Sequence, residues 1–377
     1  MTKGLTLSKI ILAGFKSYGD AQEIEIRDIN ILIGANGAGK SNFVSFLEMI
    51  SFLSTGGFRN YVAKNGFARS LLYHGKGIDE KIKGSLFFND GKTENKYDVS
   101  IQESYGGGLY IDEEIISYKT PGHSRPYQKV LTASGEESGL AQAASGNATA
   151  RIFLSLLQNS TIFHFNNTTI NAKVRSSGYL HDNSYLRSDA GNLAAFLYRL
   201  KSTEQYKKYY DRIVRMVREV FPRFEDFVLE PSIIEDADET IRLNWLEKGS
   251  EELFGPHMLS DGTLRFVSLA TLLLQPSDLI PGVIIMDEPE LGLHPYAIRV
   301  LGKMIHMASI HTRLIIATQS SQLINEFECE DILVTEYDYN RKSSIIHRLS
   351  EEELSIWLND YSLSELWDKN ILGGNPG

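Results

Sequence analysis

The stretch Gly34-Ala-Asn-Gly-Ala-Gly39-Lys40-Ser41 constrains this 377-residue chain more than any other. It fits G-x-x-x-x-G-K-[ST], and the apolar run Ile29–Ile33 stands directly before it. After it, Phe43, Phe46, Leu47 and Ile50 recur at helical spacing over Ser41–Leu53, until Gly56-Gly57 stops the pattern. A strand, a glycine-rich turn and a helix in this order aim backbone N–H groups and a helix N-terminus at one point, which suits phosphate oxygens. Lys40 is expected to reach the β and γ phosphates of a nucleoside triphosphate, and the Ser41 hydroxyl to ligate Mg²⁺. Asn36, Gly37, Gly39 and Asn42 are further expected nucleotide contacts.

Two more segments gain meaning from that loop. Val283-Ile-Ile-Met-Asp287-Glu288-Pro289 is an apolar strand ending in adjacent carboxylates. Alone it reads as an ordinary strand end. Paired with the phosphate loop, it puts Asp287 near the Mg²⁺ and Glu288 where it can polarise an attacking water. Leu259-Ser260-Asp261-Gly262-Thr263 opens an amphipathic helix some twenty residues earlier. A serine hydroxyl, a small glycine and a helix N-terminus can bind an anion, although in isolation they form only an N-cap.

The remaining chain reads as an α/β mixture. Strands are expected at Leu5–Leu12, Glu23–Ile26 and Thr161–Phe165, with a β-meander over 81–118. Residues 119–147 shift to Gly, Ser, Ala and Thr and read as a surface loop or flexible insert. Helices are expected at Thr149–Gln158, from Gly262 to Leu274, from Pro295 to Ala308 and near Gln322–Phe327. The strands VIIMD, RLIIATQ and DILVTEYD alternate with the later helices, which is the pattern of a parallel sheet with crossovers. Residues 190–222 are the most helical region. One helix there would span only about 50 Å, and no sustained heptads support a coiled-coil arm.

Composition closes off several classes. With 38 basic against 48 acidic side chains, the net charge of −10 argues against a general polyanion binder. The run Lys201–Arg218 holds Lys207, Lys208, Arg212, Arg215 and Arg218 among tyrosines. It is either a basic stripe facing nucleic acid or a solvated helix face with tyrosine as packing edge. Arg59 and Arg69 pose the same choice. The single cysteine, Cys329, rules out an internal disulfide framework and sits among glutamates, which does not favour a thiolate. The nine histidines show no metal-ligand spacing. No secretory signal and no apolar run of about 18–20 residues is present, so a cytoplasmic protein without a membrane segment is expected.

The order of GANGAGKSN, LSDGTLRF, DEPELGLHP and a strand ending in Ala317-Thr318-Gln319-Ser320 resembles the ABC-type ATPase heads of the SMC/RecF group. More narrowly, it resembles the predicted ATPases related to the OLD family. Lys16-Ser17, within GFKSYGD, resembles the loop before the first core strand of those heads. FHFNNTT (163–169) and the tail 361–374 extend the likeness. The resemblance implies a two-lobed P-loop NTPase, one composite head over 1–377. Residues 1–118 would form an N-terminal lobe with the antiparallel meander, and 119–225 a flexible loop and short helical insertion. Residues 226–377 would form a C-terminal lobe with signature, carboxylate strand and switch, around a mainly parallel core sheet. It further implies ATP and Mg²⁺ bound between two protomers. Ser260 and Gly262 of one would complete the site formed by Lys40, Ser41, Asp287 and Glu288 of the other, with Lys16 and Ser17 as further nucleotide contacts.

This chain departs from that pattern in three places. Gln319 occupies the switch position, usually histidine; it can orient water or touch the γ-phosphate but cannot take a proton. Where many ABC proteins carry an aspartate after the carboxylate strand, this chain reads Gly292-Leu293-His294-Pro295. The glutamine-loop position falls to Asn166 or Asn167. Only about fifty residues follow ATQS, too few for a fused nuclease domain. The expected partners are therefore a second copy (homodimer or higher homo-oligomer) and a separate effector such as a nuclease or toxin, in phage defence or DNA repair. The alternative is a RecF-like module that binds DNA.

Overall fold

The computed structural model describes residues 4–75, 81–120, 122–123, 125–132, 135–233 and 239–373. In chain order, β1 (Thr6–Ala13), β2 (Gln22–Glu25) and β3 (Ile29–Ile33) lead into α1 (Lys40–Thr55), α2 (Phe58–Lys64) and α3 (Phe67–Leu71). The meander β4 (Lys81–Asn89), β5 (Glu94–Glu103), β6 (Leu109–Lys119) and β7 (Tyr127–Thr132) follows. Next come α4 (Leu140–Gly146), α5 (Ala148–Gln158), β8 (Ser160–Phe163), β9 (Gly178–Tyr179), α6 (Leu193–Ser202) and α7 (Lys207–Val220). Five short strands, β10 (Phe224–Val228), β11 (Ser232–Ile233), β12 (Glu239–Ile241), β13 (Asn244–Glu247) and β14 (Leu253–Phe254), precede α8 (Asp261–Leu274). The last part runs β15 (Val283–Asp287), α9 (Pro295–Ser309), β16 (Arg313–Ala317), α10 (Ser321–Ile324), β17 (Ile332–Asp338), β18 (Ser343–Arg348), α11 (Glu351–Leu358) and α12 (Leu363–Asp368).

Two six-stranded sheets carry the architecture. The first, ordered β2-β1-β4-β5-β6-β7, is antiparallel throughout. The second is ordered β18-β17-β3-β16-β15-β8 and is parallel except for the edge strand β18. Side chains of the core sheet alternate between two cores, as the strand period of two requires. Ile31, Ile33, Ile284, Met286, Leu314 and Ile316 pack with α6 to α9. Leu32, Val283, Ile285, Ile315, Ala317 and Leu333 pack with α1, α5 and the inner face of the antiparallel sheet. Helix α1 lies between the sheets, which accounts for apolar residues on most of its sides: Phe43, Val44, Phe46, Leu47, Met49, Ile50 and Leu53 are all buried.

Residues 119–147 depart from the loop expected of them: they hold strand β7 and helix α4. Polar anchors order this segment where apolar periodicity is weak. The fully buried Glu114 carboxylate accepts from the Tyr97 hydroxyl (2.7 Å), the Ser138 hydroxyl (2.6 Å) and the Gly139 N–H (2.8 Å). Glu137 accepts from the N–H groups of Phe58 and Arg59, at the uncapped start of α2. Residues 121, 124, 133 and 134 of the segment, and Gly374 of the tail motif, lie outside the described residues. Over 190–222 there are two helices, α6 and α7, separated at 203–206. No helix among the described residues is long and apolar enough to cross a membrane.

Candidate functional site

Strands β3, β16 and β15 lie side by side, so the turns after them meet at the C-terminal edge of the sheet, where doubly wound sheets hold ligands. Gly34 leaves β3 with φ 148°, and a Cβ there would stand 2.2 Å from the Thr335 carbonyl, so only glycine fits. At the start of α1, Gly39 is the N-cap and no side chain caps the helix. Its first N–H groups therefore line a cleft of about 100 Å³ formed by Ala35, Asn36, Gly37, Gly39, Lys40, Ser41, Asn42 and Gln319.

The buried Lys40 ammonium donates to the carbonyls of Gly34 (2.5 Å) and Ala35 (3.2 Å). Burial lowers its pKa, while Glu288 and Asp287 pull the other way. Burial also raises the pKa of Asp287, reinforced by Glu288 and opposed by a hydrogen bond from Ser41 and by the charges of Lys40 and His164. The Ser41–Asp287 contact brings the two expected metal ligands together. Their oxygens suit Mg²⁺, which takes hydroxyl and carboxylate ligands and keeps several waters.

Glu288 sits in the left-handed region (φ 48°), and its N–H is held by the Ala317 carbonyl (2.8 Å). That strained turn directs its carboxylate to Gln319, whose side-chain amide donates to it. Asn166, at the end of the β8 segment, donates to the Asp287 carbonyl (3.4 Å), whereas Asn167 accepts from Thr169 (2.8 Å) in a turn. Of the two glutamine-loop candidates, Asn166 is therefore the one at the site.

Lys16 and Ser17 lie beside α1 rather than in the cleft. The Lys16 ammonium donates to Ser45 (2.7 Å), one turn beyond Ser41, and Ser17 accepts from Asn42 (2.8 Å) and shares a hydroxyl–hydroxyl hydrogen bond with Ser344 (2.7 Å). Ser344 also donates to the Ala38 carbonyl (2.5 Å), so β18 braces the phosphate loop from behind.

The signature stands apart. Ser260 is the N-cap of α8, accepting from the Thr263 N–H (3.1 Å), and residues 259–263 do not line the phosphate-loop cleft of their own chain. A Cβ on Gly262 would lie 2.4 Å from the Gly292 carbonyl, so the signature packs directly on the turn after β15. His294 of that turn caps α9 by accepting from the Tyr296 N–H (3.2 Å), and Pro295 takes the first helical position.

Three residues here were not singled out from the sequence. Arg175 is buried and binds the carbonyls of Thr168, Pro256 and Leu259 and the Asp261 carboxylate (2.7 Å). Arg265 on α8 donates to the carbonyls of Phe165 (3.2 Å) and Asn166 (3.1 Å). Glu290 is buried next to the switch. Only Glu290 carried a visible signal, as the third acid of Asp-Glu-Pro-Glu.

Elsewhere, Tyr206 and Tyr210 are the buried edge of α7, while Lys207, Lys208, Arg212 and Arg215 are exposed and Arg218 pairs with Glu225. Arg59 pairs with Glu136 (3.5 Å), and burial pushes the Cys329 thiol up to about 11, with Glu330 adding to the shift.

A family model described as "AAA domain, putative AbiEii toxin, Type IV TA system" matches residues 29–325. Among solved structures, the chain is similar to an Smc head bound to the C-winged helix domain of ScpA. The identity is 16%, with 93% of this chain and 99% of that one covered, at a TM-score of 0.57. An Smc head with an extended coiled coil from Pyrococcus furiosus, bound to the C-terminal domain of ScpA, matches at 15% identity. It covers 94% of this chain and 99% of that one, with a TM-score of 0.57. At such identities the likeness speaks for the fold: a P-loop NTPase head of the SMC type.

Proposed function

The chain belongs to this AAA-domain family, and from that premise we propose that it is an ATP-hydrolysing molecular switch that dimerises on ATP and controls a separate effector. The observation that carries the reading is the meeting of Ser41 with Asp287 and of Glu288 with Gln319 around one phosphate cradle. Lys40 and the α1 N-terminus would hold the phosphates, and Ser41 and Asp287 would hold Mg²⁺, which would supply neutralisation of phosphate charge. Glu288 polarises the attacking water, and Gln319 orients it and senses the γ-phosphate. Ser260 and Gly262 of a second copy close over the γ-phosphate, so that ATP joins the protomers and hydrolysis releases them.

The effector is a partner protein of nuclease or toxin chemistry, in the cytoplasm. The setting is phage defence or DNA repair; the family description, which mentions a putative toxin of a type IV TA system, supports the toxin side of the effector reading. Glu288→Gln tests the reading: it should bind ATP, hydrolyse it at least about 100-fold more slowly, and accumulate as a dimer by light scattering. A variant that remains monomeric in saturating ATP would sink the dimer switch.

A second reading, a DNA-binding module, has one observation in its favour. Lys207, Lys208, Arg212 and Arg215 are exposed on α7 and make no ion pair among the described residues. Duplex binding that falls steeply with salt, and that weakens in Arg212→Ala, would raise it above the first.

A further inference from the structure

The turn that follows β15 carries two glutamates, and only Glu288 has a role in the proposed chemistry. Glu290 folds back into the protein and is 7% exposed. The turn is closed by the Leu293 N–H on the Glu290 carbonyl (3.0 Å) and the Leu291 N–H on the Glu288 carbonyl (3.2 Å). Oε1 of Glu290 accepts from the Thr318 hydroxyl (2.5 Å) and from the Gln319 backbone N–H (3.3 Å). Thr318, itself fully buried, accepts in turn from the Ser320 N–H (3.0 Å). The first three residues after β16 are thus hung on one carboxylate. Glu288 holds the side chain of Gln319, and Glu290 holds its backbone.

The other oxygen, Oε2, is buried and has no hydrogen-bond partner among the described residues. Burial also raises the pKa of the group. A carboxyl group is an expensive filler for such a place, since one of its two oxygens is buried without a partner among the described residues. Packing alone therefore does not account for it. The Arg265 guanidinium, fixed on α8 by the Phe165 and Asn166 carbonyls, lies within electrostatic range and is stabilised by the Glu290 charge. Glu290 thus stands between the switch turn on one side and the signature helix on the other.

We propose that Glu290 is the positioning residue of the switch: it fixes the Thr318–Gln319 backbone so that the Gln319 amide can pass between the Glu288 carboxylate and the terminal phosphate. This rests on the ATPase reading above and adds to it the element that sets the reach of the switch. Glu290 touches neither nucleotide nor water in this scheme and acts through Gln319 alone.

That restriction makes a sharp test. Steady-state and single-turnover hydrolysis would be measured for Glu290→Gln, Gln319→Ala and the double variant, with nucleotide affinity by calorimetry. Glu290→Gln should lower kcat roughly 10- to 100-fold, the cost of a misplaced catalytic group, with ATP affinity within about twofold of wild type. Combined with Gln319→Ala, it should add nothing further. Equal losses in both backgrounds, or a loss of affinity with kcat intact, would overturn the proposal.

Thr318→Val offers a route that leaves the buried acid in place and should reproduce the kcat loss, whereas Thr318→Ser, which keeps the hydroxyl, should recover most of it. Amide exchange over residues 317–322 of the nucleotide-free protein gives a readout that needs no turnover. It should quicken in Glu290→Ala and Thr318→Val and stay unchanged in Glu288→Gln; unchanged exchange in all three also overturns the proposal. Failure of the ATPase reading would show separately, as a wild-type protein without hydrolysis.

Discussion

The two helix N-termini that the proposed mechanism turns toward phosphate are finished differently. Helix α1 starts at a glycine with no side-chain cap and faces a lysine, two acids and a glutamine. Helix α8 starts at Ser260, whose hydroxyl is already engaged with Thr263 at both its N–H and its Oγ1. The first, a helix start without a side-chain cap beside a glycine-rich turn, suits an anion. The second is satisfied by its own chain, and redirecting its cap costs about 1 kcal/mol, small beside a charged phosphate contact. One end is built to bind, the other to answer.

Mixing two inactive variants would break this comparison most decisively. Lys40→Ala should lose nucleotide binding, and Ser260→Ala should keep binding but lose hydrolysis and ATP-dependent dimers. If the site is shared between protomers, an equimolar mixture should regain about a quarter of wild-type turnover, since half the dimers hold one intact site. A mixture as inactive as its parts would place both helix ends in separate functions.

Gly262→Ala sharpens the comparison at the α8 end. A helix-start glycine usually tolerates alanine, but here the new Cβ meets the Gly292 carbonyl. A loss of about 1–3 kcal/mol in denaturant unfolding is expected. A neutral result would mean that the signature and the β15 turn are less tightly joined than their packing indicates.

The smallest effect concerns the acidic wall facing α1. Burial and the neighbouring Glu288 raise the pKa of Asp287, so its ionised form is disfavoured in the folded protein. A raised carboxyl pKa means that the penalty is felt at neutral pH and is lifted as pH falls through the native value. Asp287→Asn should therefore melt about 1–2 °C higher than wild type at pH 7.5, with the gain fading toward pH 4, while Mg²⁺-dependent hydrolysis is lost. A lower melting temperature at pH 7.5 would show that the Ser41 hydrogen bond and Lys40 outweigh burial.

How far the site could be read from residues alone follows from what kind of signal each part leaves. The phosphate loop is legible because its chemistry needs glycines and a lysine at fixed offsets, and the core strands because parallel strands covered on both faces are continuously apolar. Ser260 could be read as an anion site or as a cap, and in this single chain it is a cap. Residues 119–147 misled because the segment is anchored by long-range polar contacts, from Ser138 and Gly139 to Glu114 and from Glu137 to the N–H groups of Phe58 and Arg59, which leave no periodic trace. Arg175 was illegible for a related reason: its four partners come from two irregular segments, and nothing in AKVRSS announces them. Lys16 and Ser17, expected as nucleotide contacts, stand beside the loop with their partners on α1 and β18.

One property of the core sheet reaches beyond the site. Strand β3 has no neighbour close in sequence; it pairs with β16 and β17, and the Asn30 amide closes on the Leu314 carbonyl, 284 residues downstream. At ribosomal speeds, roughly 15–60 s separate the emergence of these partners. Throughout that interval the chain displays the apolar segment INILI and a phosphate loop with no wall behind it. The phosphate loop therefore gains its supporting strands late, and a chain stopped before β16 would leave β3 and the turn after it without the neighbours that flank them.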